Sequence, residues 1–301
     1  MSRPFHPSAV SAEEAAERLR GIALSCASVA MFTVLDTAAK YASLTLPTLE
    51  VVWLRYAFSV VFAVAILRPW LNLSEYLTQR PALQLLRAFL LLASTIFNFI
   101  AIRYLQLAET VSITFAAPLI VTALAGPLLG EWAGPRRWAA VVVGFVGVIV
   151  VVNPQPSEFH PAALFSIGAA FSYAGYALTT RMLSSTDSSA GMLMYASLFA
   201  TIVLAPIVPA QGIVVPGWAP LAAMALAGLM GALGHWCLIR ANRHAPAPVL
   251  APFTYTQIIW MILAGYLVFG DVPEPSTLIG AAIVIASGLY VLYREHVHRD
   301  R

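Results

Sequence analysis

Asp36 and Lys40 are the first residues of this chain placed where a charge is costly. They end an apolar run in which residues 22–35 carry no charge. A carboxylate at the centre of a membrane-spanning helix costs about 2.5–3.5 kcal/mol on insertion scales, so such a residue marks a site or a buried pair. Arg55 is the natural partner. It lies about eight residues into the next apolar run, and Asp36 about five residues from the end of its own. At 1.5 Å per residue their depths differ by about 5 Å, within reach of an arginine. The spacing fits a permanent structural pair. It fits equally a pair that opens to a zwitterion, with Arg55 receiving a carboxylate and Asp36 an ammonium.

Ser25, Ser28, Phe32, Asp36 and Lys40 recur every three or four residues and share one helix face. Phe165, Gly168, Ser172, Tyr176 and Thr180 form a second such stripe 140 residues later, with Tyr173 beside it. Each stripe reads as a cavity lining or a packing seam, and small residues favour the seam for Ser25, Ser28 and Gly168. Thr95 and Asn98 add polar groups in a third apolar run, and Tyr255, Gln257 and Trp260 in a later one. His235 and Trp236 follow a ladder of Gly228, Gly231 and Gly234, itself spaced for helix packing. With Asp36, His235 is a candidate for proton coupling because histidine titrates near neutrality; a structural, hydrogen-bonded histidine fits the sequence as well. Lys40, Glu50, Arg103 and Glu109 fall near the outer rim, where snorkelling or a solvated mouth accounts for them.

The elements that must carry these residues are membrane helices. The 301 residues are 60% hydrophobic and only 10% charged, with mean hydropathy +0.80, whereas soluble chains carry about 25% charged residues. Spans are expected near 21–41, 48–67, 83–103, 109–129, 137–152, 162–181, 191–208, 218–240, 247–269 and 276–293, separated by proline- and glycine-rich breaks. Residues 1–20 read as a cytoplasmic tail or short surface helix and 294–301 as a second tail. Placing both termini inside puts 14 of the 17 Lys and Arg residues on the cytoplasmic side. Cys26 and Cys237 lie in apolar runs and imply no disulfide framework.

A shift of 140 residues lays the second half on the first: Ala30 meets Ala170, Gly130 meets Gly270 and Glu131 meets Asp271. Five spans per half invert the second half in the membrane. The expected fold is therefore all-α, ten transmembrane helices in two inverted five-helix repeats around a central cavity, at 21–153 and 160–293. Such repeats place a site near the midplane and supply alternating access by rocking.

Pro127-Leu-Leu-Gly-Glu131, Arg137-Trp138 and Gly144-Phe-Val-Gly-Val148 resemble the end of the first repeat of the EamA family, in the drug/metabolite transporter superfamily. Ala251-Pro252, Tyr255, Gln257, Phe269-Gly-Asp271, Gly280 and Ser287-Gly288 resemble its second repeat, with Asp271 where glutamate is common. The resemblance covers residues 21–293 and implies the same ten-helix fold in the cell (inner) membrane. Its members mostly export amino acids and related metabolites, and some import vitamins or nucleoside-like compounds. The expected function is export of amino acids, including aromatic or other apolar ones, or of related metabolites, with import of a vitamin or nucleoside-like compound as the alternative.

Other classes fit poorly. The single lysine, Lys40, precedes Tyr41, so no phosphate-binding Gly-Lys-Ser/Thr motif exists. No metal-binding spacing, hydrolase motif or repeated channel filter stands out, and the cations lie in short loops, unlike a nucleic-acid surface. An intramembrane enzyme would need Asp36 and His235 to meet. The expected partners are a small-molecule substrate and the bilayer, with no cofactor, metal or nucleic acid. The oligomeric state is open, and a monomer suffices.

Overall fold

The computed structural model describes residues 12–130, 132, 134–153, 159–184, 186–245, 250 and 253–299. Among them the regular structure is entirely helical. The first half holds α1 (Ala12–Ala42), α2 (Thr48–Leu67), α3 (Pro81–Tyr104), α4 (Leu107–Thr114), α5 (Ala117–Leu129) and α6 (Pro135–Val152). The second holds α7 (Ala163–Leu183), α8 (Ser189–Leu204), the short α9 (Ile207–Ala210), α10 (Trp218–His244), α11 (Gln257–Ala264) and α12 (Pro275–Arg299). One turn of π-helix, Gly265–Phe269, extends α11.

Six segments are long and apolar enough to cross a membrane: α1, α2, α3, α4 with α5, α8 with α9, and α10. Three shorter apolar helices lie in α6, α11 with its extension, and α12. Helix α7 has the length, at 21 residues, but its hydroxyls and Arg181 keep it from being a strongly apolar span. Helix α1 begins well before the expected span, because its first turns are anchored: Glu17 bonds His244 at the end of α10 and Arg20 on its own helix.

The packing repeats with the sequence. Helix α1 lies on α10 as α3 lies on α7, and α2 lies on α10 as α3 lies on α8. Helix α1 also meets α11 as α7 meets α5, while α2 with α8 and α6 with α12 are self-paired. An operation exchanging α1 with α7, α2 with α8, α3 with α10, α5 with α11 and α6 with α12 maps each pair onto another. Breaks obey it too: the helix opens at Phe115 and Ala116 and again at Tyr255 and Thr256. Gly130 and Gly270 both close their helices in the left-handed conformation, at φ 74° and 73°, a region open to glycine without a Cβ penalty. Glu131 and Pro252 lie outside the described residues.

Glycines bring the halves together. A Cβ on Gly280 would stand 2.6 Å from the Gly147 carbonyl oxygen and 2.5 Å from Val151 Cγ2. The equivalent contact across the repeat is Ser287, whose hydroxyl donates to the Ala140 carbonyl. The Gly228, Gly231 and Gly234 ladder is likewise a seam, because added Cβ atoms would strike Phe58, Leu35 and Phe32. Gly280→Leu should therefore destabilise the bundle by about 1–3 kcal/mol or more, as overpacking does. Gly134→Ala is the control: nothing lies within 4 Å of its Cβ position, so its melting temperature in detergent should match the parent chain's.

Candidate functional site

Five helices, α2, α3, α7, α8 and α10, border a small pocket that opens to the surroundings. Its polar wall is Arg55, Arg87, Tyr176 and His235, with Ser59 and Ser197, and among the described residues no acidic side chain lines it. Arg87 is fully engaged. Nε donates to Thr180 Oγ1 at 2.7 Å, Nη1 to the Met192 carbonyl at 2.9 Å and Nη2 to the Tyr176 hydroxyl at 3.1 Å. Thr180 can accept because its own hydrogen goes to the Tyr176 carbonyl.

Arg55 is held differently. Its guanidinium carbon lies 4.3 Å from the centre of the Tyr56 ring and 6.0 Å from that of Phe99. Nε and Nη1 are buried with no hydrogen-bond partner. Ring faces return about 0.5–2 kcal/mol to a cation, against a desolvation penalty of several kcal/mol. The pocket thus holds one cation with open donors.

Asp36 and Arg55 remain within electrostatic reach of each other without forming an ion pair. Asp36 Oδ1 accepts from Asn98 Nδ2 at 3.2 Å, and no ion pair joins it to Arg55 among the described residues. Matched depth was insufficient, because α3 supplies an amide donor to the acid. Thr95 shares a 2.8 Å hydrogen bond with the Tyr56 hydroxyl and so steadies the Arg55 platform. Phe32 meets His235 edge-on at 4.9 Å between ring centres, and Tyr173 lies 5.5 Å from Tyr176. Ser172 is half-buried on the α7 stripe.

Four other candidates lie away from the cavity wall. Trp236 and Trp260 are each 41% exposed, and Arg240 stacks on Trp236. Tyr255 is buried against Phe115 at 5.0 Å between ring centres, with its hydroxyl in the notch over Gly288. Gln257 is half-buried at the start of α11. Ser28 is a packing residue that donates to the Gly234 carbonyl.

Lys40 does not snorkel. It is buried, donating to Asp271 Oδ2 at 2.8 Å and to the Leu105 carbonyl at 3.0 Å, with the Phe269 ring 4.7 Å away. This buried pair ties the end of α1 to the turn after α11. A second, polar hollow at the same end is lined by Gln106, Glu109, His160 and Glu274 among others.

Arg87 was missed in the sequence because it had been counted among the cations that set orientation. A signal existed: Arg87, Leu91, Ser94 and Asn98 lie at i, i+4, i+7 and i+11 of α3, a single helix face.

The chain is 30% identical over 272 residues to a riboflavin transporter of Vibrio cholerae, covering 86% of this chain and 88% of that one. An S-adenosylmethionine uptake transporter of Rickettsia conorii is 28% identical, with 94% and 96% covered. A pseudopaline exporter of Pseudomonas aeruginosa is 26% identical, with 89% and 94% covered. A protein of known crystal structure shares the fold at TM-score 0.66 and 14% identity, over 92% of this chain and 98% of the other. Family and relatives are transporters, not enzymes. The profile of the EamA-like transporter family matches twice, at residues 19–153 and 160–293, and the chain belongs to that family.

Proposed function

We propose that this chain is a secondary transporter that moves a small metabolite by alternating access, with the Arg55 cavity as its substrate site. The observation that carries the reading is a polar cavity between helices of both halves, holding a cation with unused donors. Four of its five walls, α2, α3, α8 and α10, belong to pairs exchanged between the halves, so rocking one half on the other would reshape it.

The finer architecture is ten spans in two inverted repeats, in the cell membrane, with both termini cytoplasmic as the 14 inward cations favour. In that orientation the Lys40–Asp271 pair closes the outer end, and Arg87 faces the inner half. Asp36 and His235 remain the proton-coupling candidates, with Phe32, Asn98, Ser172, Tyr173 and Tyr176 around the path.

Relatives named for riboflavin and S-adenosylmethionine favour a substrate with a planar heterocycle over a plain amino acid, and the Tyr56, Tyr173 and Tyr176 rings suit it. Export finds support in the pseudopaline exporter and uptake in the S-adenosylmethionine transporter. An enzymatic Asp36–His235 pair finds none: Asp36 bonds Asn98, and His235 packs on Phe32.

Purified protein in liposomes is expected to move at least one of labelled riboflavin, S-adenosylmethionine, nucleosides or amino acids several-fold faster than empty vesicles. Equal rates for all of them would defeat the proposal. Asp36→Asn should lower the transport rate at least tenfold while leaving the elution profile and melting temperature intact; an unchanged rate would make Asp36 structural.

The closed outer end makes its own prediction. In a chain carrying Cys26→Ser and Cys237→Ala, a cysteine introduced by Ser43→Cys occupies a fully buried position just past Lys40. Adding Lys40→Met should speed its labelling by an impermeant maleimide several-fold, since each 1.4 kcal/mol lost from the closed state shifts the population about tenfold. Labelling that stays slow would show that the ion pair does not hold this end shut.

A further inference from the structure

We infer that the cavity recognises a compact oxyanion on its substrate, a carboxylate or a phosphate, and that the Arg55 guanidinium is the group that receives it. This rests on the transport reading and names the chemistry that its site selects.

The argument is one of charge and of unused donors. Arg55 is 94% buried, at 6% relative exposure, and two of its nitrogens have no partner in the protein. Arg55 makes no ion pair with Asp36, whose carboxylate accepts from Asn98 instead, and a buried cation without acceptors is costly. The second cation, Arg87, has its three donor nitrogens tied to Thr180, Met192 and Tyr176. It contributes positive potential while each of its nitrogens already has a partner. The wall contains no Asp or Glu, so two fixed cations repel each other until an anion enters. A cationic group would be repelled by Arg55 and Arg87, and a neutral one without an acceptor would leave the Arg55 donors open. A carboxylate or phosphate supplies the acceptors that a guanidinium fork fits. The Tyr56 ring beneath Arg55 holds the guanidinium plane, and Thr95 in turn holds the Tyr56 hydroxyl. The receiving arm is thereby set before substrate arrives.

Matched pairs of labelled compounds in proteoliposomes test this: S-adenosylmethionine against its decarboxylated form, tryptophan against tryptophanamide, and riboflavin 5′-phosphate against riboflavin. The wild-type chain should prefer the member bearing the carboxylate or phosphate, in whichever pair it transports, by at least tenfold. The first two pairs report a carboxylate and the third a phosphate. Arg55→Gln should reduce that preference to within about twofold, and Arg55→Lys, which keeps the charge and loses the fork, should restore part of it. Elution profiles and melting temperatures of both variants in detergent, matching the wild type, establish that they fold. A preference for the member lacking the oxyanion, or one that Arg55→Gln leaves intact, overturns the assignment while transport itself stands. Movement of no compound in any pair overturns the transport reading and this assignment with it.

Discussion

The close approach of the two halves is the constraint on which everything else depends. Phe115 meets Tyr255, its equivalent 140 residues on, and Gly147 lies over the Gly280 carbonyl as Ser287 lies over that of Ala140, two equivalent pairs. Repeat-related residues can touch only near the axis that exchanges them, so these contacts locate that axis between the breaks that precede α5 and α11 and between α6 and α12. With no hydrophobic drive between helices in lipid, such contacts rest on van der Waals fit and interhelical hydrogen bonds. Glycine lets the backbones close until carbonyls are within reach. Once the axis is fixed, α1 must lie on α10 and α3 on α7, and the cavity is the space that α2, α8 and their neighbours leave unfilled.

Much of this was legible in the sequence because it is local. Proline and glycine breaks act through missing donors and missing side chains, so helix ends at Leu67, Leu129 and Val152 fell within a residue of expectation. The Gly130 and Gly270 match was more than composition, since both take the same left-handed cap. The charged residues were read less well. Asp36 and Arg55 have similar depth, but depth is one coordinate, and rotation about each helix sent Asp36 to Asn98 and Arg55 to the aromatic rings. Lys40 looked like a rim residue because its partner, Asp271, lies 231 positions away in the chain. Arg87 was hidden by the rule that found the orientation, which counts cations without asking where each side chain turns.

The buried charges divide by how each is compensated. Lys40 has a counter-ion, a carbonyl and a ring; Arg87 has three oxygen acceptors; Asp36 has an amide. Each of the three thus has a polar partner in the protein. Arg55 alone among these four has rings and no acceptor. A protein that only needed to fold would do as well with an apolar residue there, since replacing buried charge by good packing is often neutral or stabilising. The uncompensated cation is therefore the residue whose presence calls for a reason outside the fold.

The two repeats differ most where that reason applies. Asp36 and Lys40 of α1 correspond to Tyr176 and Thr180 of α7. At one end of the bundle, Lys40 therefore makes a buried ion pair with the turn after α11. At the other, Tyr176 and Thr180 hold Arg87 by neutral acceptors at the edge of the cavity. Perfect repeats would give two equivalent closures and two states of equal energy. Here the Lys40 end is joined by opposite charges with 11% and 25% of their side chains exposed, where attraction is less screened than at a surface. The neutral contacts at the Arg87 end have no such charge to separate. Under the proposed alternating access, the divergence of α1 from α7 would bias the protein toward closure at the Lys40 end. Opening that end would then be driven by differential binding, because a ligand shifts an equilibrium only by as much as it favours one state over the other. An anion bridging Arg55 and the potential of Arg87 is positioned to supply that difference, since it joins α2 to α3 across a cavity that neither helix closes alone.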